Sequence, residues 1–207
     1  MQSWQVGSAK SFKELELYLE GLEKVGKGWR GVVFRAKLGD LVLAIKVARS
    51  PQVLDSIKRE SRVLSMLLGF EGFPQLRFFG EDFIAYDFID GKIFKRASLS
   101  KAQRIQVFLQ VLELIKTLDI LGIDKGEMNK LDKNLIISQN KVYLIDFERA
   151  RLSNKTHNLS KFLQLLSVEG VLPIYSAKEL GVAYRKGESW VYKEVQNALE
   201  RALSSAL

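Results

Sequence analysis

The chain has 207 residues, of which 47% are apolar, and it contains no cysteine. This length allows one domain to bury a hydrophobic core, and the lack of cysteine excludes a disulfide framework, a thiolate zinc site and a cysteine nucleophile. The formal net charge of +8 favours anionic partners such as nucleotides, RNA or acidic proteins. Charged residues interrupt the first apolar residues, and no stretch approaches the roughly 18 apolar residues of a membrane span. We therefore expect a cytoplasmic protein with no membrane partner.

The part of the chain before residue 90 is predicted to be rich in strands. Apolar residues recur at helical spacing over 11–24, behind Ser11 as a candidate N-cap, and predict a first helix there. A glycine-rich stretch follows. The later patterns predict two strands joined by a tight turn, one helix and two further strands, at Gly31–Lys37, Leu41–Ala48, 52–68, Gln75–Phe79 and Phe83–Ile89.

The remainder is predicted to be mostly helical. Its patterns indicate a long helix, a lysine-rich loop, a hairpin of two strands and two further helices, at 100–121, 124–133, Asn134–Ile137, Lys141–Phe147, 157–168 and 188–204. This order predicts an α+β protein of two lobes, residues 1–90 and 91–207, joined near Asp90 and Gly91 within one overall domain.

The first candidate for chemistry is the glycine-rich stretch, with Gly26, Gly28 and Gly31 in the pattern G-x-G-x-x-G. Glycine lets the backbone approach a polyphosphate closely, although glycines also mark ordinary turns. A dinucleotide-binding fold would place a helix after the third glycine, whereas a strand-like run follows here. The context fits a phosphate loop between two antiparallel strands.

The second candidate is Lys46, which lies inside an apolar strand as part of Leu43-Ala44-Ile45-Lys46. Burial of a lysine costs free energy unless the ammonium finds a partner. Two readings are open: an edge-strand lysine that points to solvent, or, as the resemblance of this segment to the V-A-I-K strand of protein kinases implies, a phosphate-binding lysine paired with a carboxylate on the following helix. Glu60 lies inside that helix.

The third candidate is Asp146, which ends an apolar strand in Tyr-Leu-Ile-Asp-Phe-Glu. Asn134 precedes the partner strand of the predicted hairpin, whose open end would bring the two residues together. A carboxylate and an amide oxygen are suitable ligands for Mg²⁺. The alternative is that Asn134 is a turn residue and Asp146 a helix cap.

In this order and near these spacings, the motifs resemble those of the protein kinase superfamily over roughly residues 22–150. The chain looks most like the small RIO-like archaeal family of serine/threonine kinase-like proteins. The resemblance implies a compact two-lobed fold with a truncated helical C-terminal lobe, which binds Mg-ATP between the lobes. It places Tyr86 where kinases have the gatekeeper, and Asn134 and Asp146 as Mg²⁺ ligands. The ATP-binding residues that it implies are Gly26, Gly28, Gly31, Val33, Ala44, Lys46, Glu60, Asp87, Phe88 and Ile89, with Lys46 acting in catalysis.

The catalytic loop departs from the kinase pattern. Kinases have an aspartate five residues before the asparagine, but the residue at that position is Asn129. Glu127, in Lys-Gly-Glu-Met, is the favoured catalytic base, and Asp124 and Asp132 compete with it. Glu148 replaces the glycine of the kinase D-F-G motif.

These features predict an atypical protein serine/threonine kinase that transfers the γ-phosphate of Mg-ATP to a protein substrate. Two alternatives stay open: a nucleotide-binding pseudokinase that acts as an assembly module, and an ATPase switch.

We expect His157 to be structural, since the sequence offers it no evident partner. Basic residues crowd the lysine-rich loop and the stretch after Asp146, as a solvated surface or as an approach for RNA or a ribonucleoprotein: Lys125, Lys130, Lys133, Arg149, Arg151 and Lys155.

Overall fold

The computed structural model describes residues 6–128 and 130–207, which form a mixed α+β structure. Two compact units are present. The first runs to Asp90 and includes Ile145–Ala150, and the second comprises Gly91–Leu144 and Arg151–Leu207. Asn129 lies outside the described residues.

The first unit is built on a six-stranded sheet with strand order β1-β5-β6-β4-β3-β2. Strands β1 and β5 are parallel, and the other neighbours are antiparallel. The strands are β1 (Gly7–Ser8), β2 (Glu20–Lys27), β3 (Gly31–Leu38), β4 (Leu41–Ala48), β5 (Leu76–Phe79) and β6 (Phe83–Asp87), and the helices are α1 (Phe12–Glu16) and α2 (Leu54–Met66).

The alternation of side chains along β4 decides what each face of the sheet carries. Leu43 and Ile45 point to one face, where they pack with Leu15 of α1 and Phe83. Successive residues of a strand point to opposite faces. Lys46 therefore points to the other face, where it meets α2.

Helix α2 presents an apolar stripe to the sheet. Ile57, Glu60 and Leu64 are all buried and lie three or four residues apart, so they share one helix face. The predicted helix over 52–68 is confirmed with shorter bounds, and its one buried carboxylate lies on the face that packs against the strands.

The prediction of a helix over 11–24 was wrong. Only Phe12–Glu16 is helical, and Glu20–Lys27 forms an edge strand paired with β3. Gly21 has a positive φ of 60°, a conformation that interrupts a helix. The residues of β2 are mostly exposed, so a helix here would have had no core against which to bury Leu22. Pairing with β3 provides the hydrogen bonds for the backbone N–H and C=O groups of this segment instead.

The second unit is mainly helical. Its strands form a three-stranded sheet, β10-β9-β7, and a two-stranded sheet, β11-β8. The strands are β7 (Lys92–Ile93), β8 (Ile123–Asp124), β9 (Leu135–Ser138), β10 (Lys141–Leu144) and β11 (Arg151–Leu152), and the helices are α3 (Lys101–Ile120), α4 (Leu131–Asn134), α5 (Asn158–Val168), α6 (Ile174–Arg185) and α7 (Trp190–Ser204).

Helix α3 confirms the predicted long helix and begins with a capping box, in which Ser100 and Gln103 bond each other's backbone N–H. Helix α6 was not predicted. Gly181 inside it lowers the helix propensity, which its packing overrides, whereas Pro173 directly before it is compatible with a helix start. Among the described residues, no helix has both the length and the apolar character needed to cross a bilayer.

Candidate functional site

Three carboxylates surround the ammonium group of Lys46 in the first unit. Lys46 Nζ lies 2.7 Å from Glu60 Oε2, 3.2 Å from Asp146 Oδ1 and 3.2 Å from Glu148 Oε2. The Lys46 side chain is only 10% exposed. The reading of Lys46 as a lysine that points to solvent is therefore wrong, and the predicted pairing with Glu60 is present.

The electrostatics of this cluster keep Lys46 charged. Burial alone would lower the pKa of Lys46, but the negative charges of Glu60, Asp146 and Glu148 outweigh it and raise the pKa above its ordinary value. Burial raises the pKa of Glu60, against the opposing effect of the Lys46 charge. Loss of either Lys46 or Glu60 would therefore leave the other as an unpaired buried charge in the folded state.

Glu60 also fixes the segment that carries Asp146. Its Oε1 accepts a hydrogen bond of 3.1 Å from the Phe147 N–H, while its Oε2 binds Lys46. The Phe147 ring is fully buried and packs on Phe73, with a centroid distance of 6.0 Å. Asp146 has a φ of 65°, a left-handed conformation that costs a non-glycine residue about 1 kcal/mol. Strain of this kind is often stored at functional sites.

The glycine stretch forms the turn between β2 and β3. The Gly28 N–H donates to the Gly31 carbonyl at 2.8 Å, and Gly26 is paired with Val33. A Cβ on Gly31 would lie 3.0 Å from the Val47 carbonyl oxygen. Glycine at position 31 therefore permits β3 to pass close to the strand that carries Lys46.

These elements enclose a cavity of about 310 Å³ within the first unit. Its lining includes the glycine turn with Trp29, together with Val33, Lys46, Tyr86 and Asp146. Ala44, the other predicted pocket residue, is buried in the sheet and is not part of this lining. Burial, with a contribution from the Glu60 charge, raises the pKa of the Tyr86 hydroxyl, which stays protonated at neutral pH.

Sequence reasoning missed an ion pair at the mouth of this cavity. Arg30, in the glycine turn, donates from Nη1 to Glu148 Oε1, and Arg59 Nη1 donates to the Glu148 backbone carbonyl at 3.1 Å. The only signals in the sequence were the positive charge of Arg30 in the glycine-rich stretch and the negative charge of Glu148 after Asp146-Phe147. Because the two residues are 118 positions apart in the sequence, local sequence patterns cannot predict that they pair.

The predicted adenine-binding backbone, residues 87–89, begins at the last residue of β6. The Asp87 N–H donates to the Gln75 carbonyl at 3.1 Å, and the Phe88 N–H donates to the Val42 carbonyl at 2.9 Å. The Ile89 N–H has no hydrogen-bond partner among the described residues. Of the three N–H groups, that of Ile89 is therefore the one that remains available to a ligand.

The candidate base and the second metal candidate belong to the second unit. Glu127 Oε1 lies 2.9 Å from Lys130 Nζ, and its side chain is 16% exposed. Asn134 ends α4 and is 7% exposed, and its Nδ2 has no hydrogen-bond partner among the described residues. Asp132, a competing carboxylate, is 47% exposed and lies 4.0 Å from Lys95.

Asp124, the other competitor, is completely buried and fully engaged. Its carboxylate accepts hydrogen bonds from the Gly126 N–H at 3.0 Å and from Arg151 at 3.1 Å, and His157 Nδ1 lies 3.1 Å from Oδ2. His157 therefore does have a partner, contrary to expectation, and it contributes to a structural cluster. Asn158 fixes the neighbouring backbone through a bond from the Lys125 N–H.

The Asp124 cluster predicts a specific pH dependence of stability. Burial alone would raise the pKa of Asp124, but hydrogen bonds from His157, Arg151 and the Gly126 N–H hold it below its ordinary value. A lowered pKa in the folded state contributes stability above the unfolded-state pKa of about 4, and this stability is lost as the pH falls through the folded-state pKa.

Replacement of Asp124 by asparagine should therefore destabilise the protein at pH 7, and the difference from wild type should shrink as the pH falls below about 4. Urea unfolding of both proteins between pH 7 and pH 2.5 measures this difference. A difference that stays constant down to pH 2.5 would show that the Asp124 charge does not stabilise the fold.

No family model matches the chain. Over 86 residues it is 35% identical to the uncharacterized protein MJ1211 of Methanocaldococcus jannaschii, and the matched stretch covers 41% of this chain and 73% of that protein. The chain belongs to the family of this uncharacterized archaeal protein.

Proposed function

We propose that the protein is an ATP-dependent phosphotransferase with the two-lobed fold of protein kinases and a truncated helical C-terminal lobe. The acceptor we propose is a serine or threonine of a protein. One observation carries the proposal: Lys46 Nζ lies 2.7 Å from Glu60 and 3.2 Å from Asp146 beside a glycine turn. A cluster of this composition suits the binding of a nucleotide phosphate and a divalent cation.

The cluster is hard to explain by folding alone. A buried ion pair stabilises a protein little more than apolar residues of the same volume. Here three carboxylates converge on one ammonium group, and one of them, Asp146, has a strained backbone. Strongly shifted pKa values and strain together are typical of sites kept for chemistry.

Each part of the cavity has a role in this proposal. Lys46 binds the α- and β-phosphates, and Glu60 holds the ammonium group in place. The glycine turn brings the backbone near the phosphates, with Val33 beside the base. Beyond the cavity lining, the Ile89 N–H is the proposed donor to adenine, since the Asp87 and Phe88 N–H groups already have partners.

The residues present fit a magnesium ion. Asp146 is 32% exposed on the cavity, and Mg²⁺ is usually held by one or two carboxylates together with substrate phosphates and water. No three His, Cys, Asp or Glu side chains in the described ranges are arranged to hold a metal ion by themselves, so substrate phosphates and water would have to complete the coordination. Bound Mg²⁺ would neutralise charge on the phosphates. Asn134, with a buried amide that lacks a partner for Nδ2, stays a predicted second ligand from the sequence.

Glu127 is the proposed base that orients the acceptor hydroxyl. Replacement of Glu127 by glutamine keeps its size and removes its charge, and should lower the rate of phosphoryl transfer by about 100-fold with little change in ATP affinity. The paired variant Asp132→Asn should have a rate close to that of wild type. Single-turnover transfer from labelled ATP measures both variants. A Glu127→Gln protein with the wild-type rate would remove this role.

Two observations keep an alternative function open. Glu127 is already paired with Lys130, and Asp124 is fully engaged by its own cluster. Both arrangements weaken a carboxylate as a base. They favour the second candidate, a nucleotide-binding pseudokinase or ATPase switch that acts as an assembly module.

One experiment separates these functions. The protein is incubated with γ-labelled Mg-ATP, with and without a protein extract from its source. Transfer of label to protein supports the kinase, release of free phosphate supports the ATPase switch, and binding without turnover supports the pseudokinase. The absence of nucleotide binding under all conditions would contradict the proposal as a whole.

A further inference from the structure

Glu148 connects the two cations of the cavity. One carboxylate oxygen, Oε1, accepts from Arg30 in the glycine turn, and the other, Oε2, lies 3.2 Å from Lys46 Nζ. The side chains of Glu148 and Arg30 are 15% and 25% exposed. One anionic group thus spans two cations at the edge of the cavity, within reach of solvent.

Lys46 does not require Glu148 for its charge balance. Glu60 is nearer, at 2.7 Å, and its side chain is only 3% exposed, so it is the permanent partner of the ammonium group. Asp146 supplies a second negative charge at 3.2 Å. Glu148 is therefore a surplus anion at Lys46, and among the described residues it is the one ion-pair partner of Arg30.

A phosphate group would need the same donors that Glu148 now uses. Phosphate and carboxylate oxygens both accept charge-assisted hydrogen bonds from arginine and lysine. A phosphate oxygen placed at Lys46 would meet the Glu148 carboxylate, and two anions at such a short distance repel each other. The two groups therefore compete for one position.

We propose that Arg30 and Lys46 together form a phosphate-binding pair, which the Glu148 carboxylate occupies until a polyphosphate replaces it. The inference rests on the proposed function, since it assigns Arg30 as a second phosphate ligand and Glu148 as the internal competitor at the same cavity. Occupation of the pair by Glu148 sets the concentration of nucleotide at which the site fills.

The exchange requires little movement of the main chain. Arg59 holds the backbone carbonyl of Glu148, and Glu60 holds the N–H of the neighbouring Phe147. These contacts do not involve the Glu148 side chain. Rotation of that side chain toward solvent is then sufficient to release both cations.

The probe that tests the pair is inorganic tripolyphosphate in the presence of EDTA, so that neither a base nor a metal contributes to binding. Titration calorimetry on the whole protein should give binding at least 10-fold tighter for Glu148→Gln than for wild type. In the Glu148→Gln background, the additional change Arg30→Gln should weaken binding at least 10-fold. The controls Glu23→Gln and Lys24→Gln carry the same charge changes at exposed positions of β2 and should bind as wild type does.

Equal or weaker binding of tripolyphosphate by Glu148→Gln would overturn the inference, because removal of a competitor cannot weaken the binding of its rival. The double variant Arg30→Gln/Glu148→Gln removes one charge of each sign, and its thermal unfolding checks that the fold is retained. If Glu148→Gln and the double variant bind tripolyphosphate equally well, the assignment of Arg30 as a phosphate ligand is also overturned.

A parallel titration with Mg-ADP separates this inference from the proposed function. If wild type binds Mg-ADP and Glu148→Gln shows no gain for tripolyphosphate, the inference fails and the nucleotide site stands. If Glu148→Gln binds tripolyphosphate through Arg30 but no variant binds Mg-ADP, the anion site stands and the proposed nucleotide function fails.

Discussion

Replacement of Lys46 by methionine is expected to destabilise the protein by about 3–5 kcal/mol, the usual cost of removing one partner from a buried ion pair. Glu60, whose side chain is 3% exposed, would lose the cation that lies 2.7 Å from its Oε2. The measurement is urea unfolding of the variant and of wild type. The control Lys58→Met removes an exposed lysine from α2, the helix that carries Glu60, and should change the stability little.

Most of this loss should be recovered in the double variant Lys46→Met/Glu60→Gln. Glutamine at position 60 carries no charge, and its oxygen can still accept from the Phe147 N–H. Asp146 and Glu148 remain, but both reach solvent, and Glu148 keeps Arg30 as its partner. The double variant thus separates the electrostatic cost of an unpaired carboxylate from the function of the lysine.

Nucleotide binding should not recover with stability. Without the Lys46 ammonium group we expect affinity for Mg-ADP to fall on the order of 100-fold, or about 2.7 kcal/mol, in both variants. Calorimetric titration of the stable double variant measures this directly. A double variant that is folded and binds Mg-ADP as tightly as wild type would remove Lys46 from the proposed phosphate site.

The pairing of Lys46 with Glu60 was predicted from the resemblance of the combined motifs to protein kinases, because the local pattern of each residue alone allowed a solvent-exposed side chain. In the structure, Lys46 belongs to a run of four buried residues of β4, and Glu60 lies on the buried face of α2 between Ile57 and Leu64. A buried ammonium requires a carboxylate, and only one lies on that face. The predicted tight turn at Gly39 joins β3 to β4, the strand that carries Lys46.

The features that were not predicted depend on contacts with other segments of the chain. The spacing of Leu15, Leu19 and Leu22 fits a helix, but whether residues 20–27 become helix or strand is decided by pairing with β3. The bond between Arg30 and Glu148 joins residues 118 positions apart. No local sequence pattern around either residue indicates the other, so the pair can be identified only from the folded structure.

Asp146 is expected to combine a cost in stability with an essential role in function. Its φ of 65° suits glycine better than aspartate, and its carboxylate is one of three that share Lys46. Replacement of Asp146 by glycine should therefore leave the free energy of unfolding unchanged or raise it by about 1 kcal/mol. Urea unfolding measures this. A loss of several kcal/mol would show that Asp146 is a structural residue.

The same variant should lose the response to magnesium. For wild type, a nucleotide at roughly 100 times its Kd should stabilise the fold by about 2.7 kcal/mol, and more nucleotide should be needed for this in EDTA than with Mg²⁺. Phosphoryl transfer should fall by on the order of 10³-fold, the size of effect expected when one charge that neutralises the transferred group is lost. Asp40→Asn, in the exposed turn between β3 and β4, is the control and should behave as wild type.

Thermal unfolding of wild type, Asp146→Gly and Asp146→Asn with nucleotide, in Mg²⁺ and in EDTA, distinguishes a metal ligand from a general effect of charge. Asparagine tolerates the left-handed backbone and keeps one oxygen, so a metal ligand should retain part of the magnesium response in Asp146→Asn and none in Asp146→Gly. If Asp146 only repelled phosphate, both variants would bind nucleotide more tightly in EDTA than wild type does. Equal shifts for wild type with and without magnesium would contradict a metal role for Asp146, because a ligand that binds through the ion cannot be indifferent to its removal.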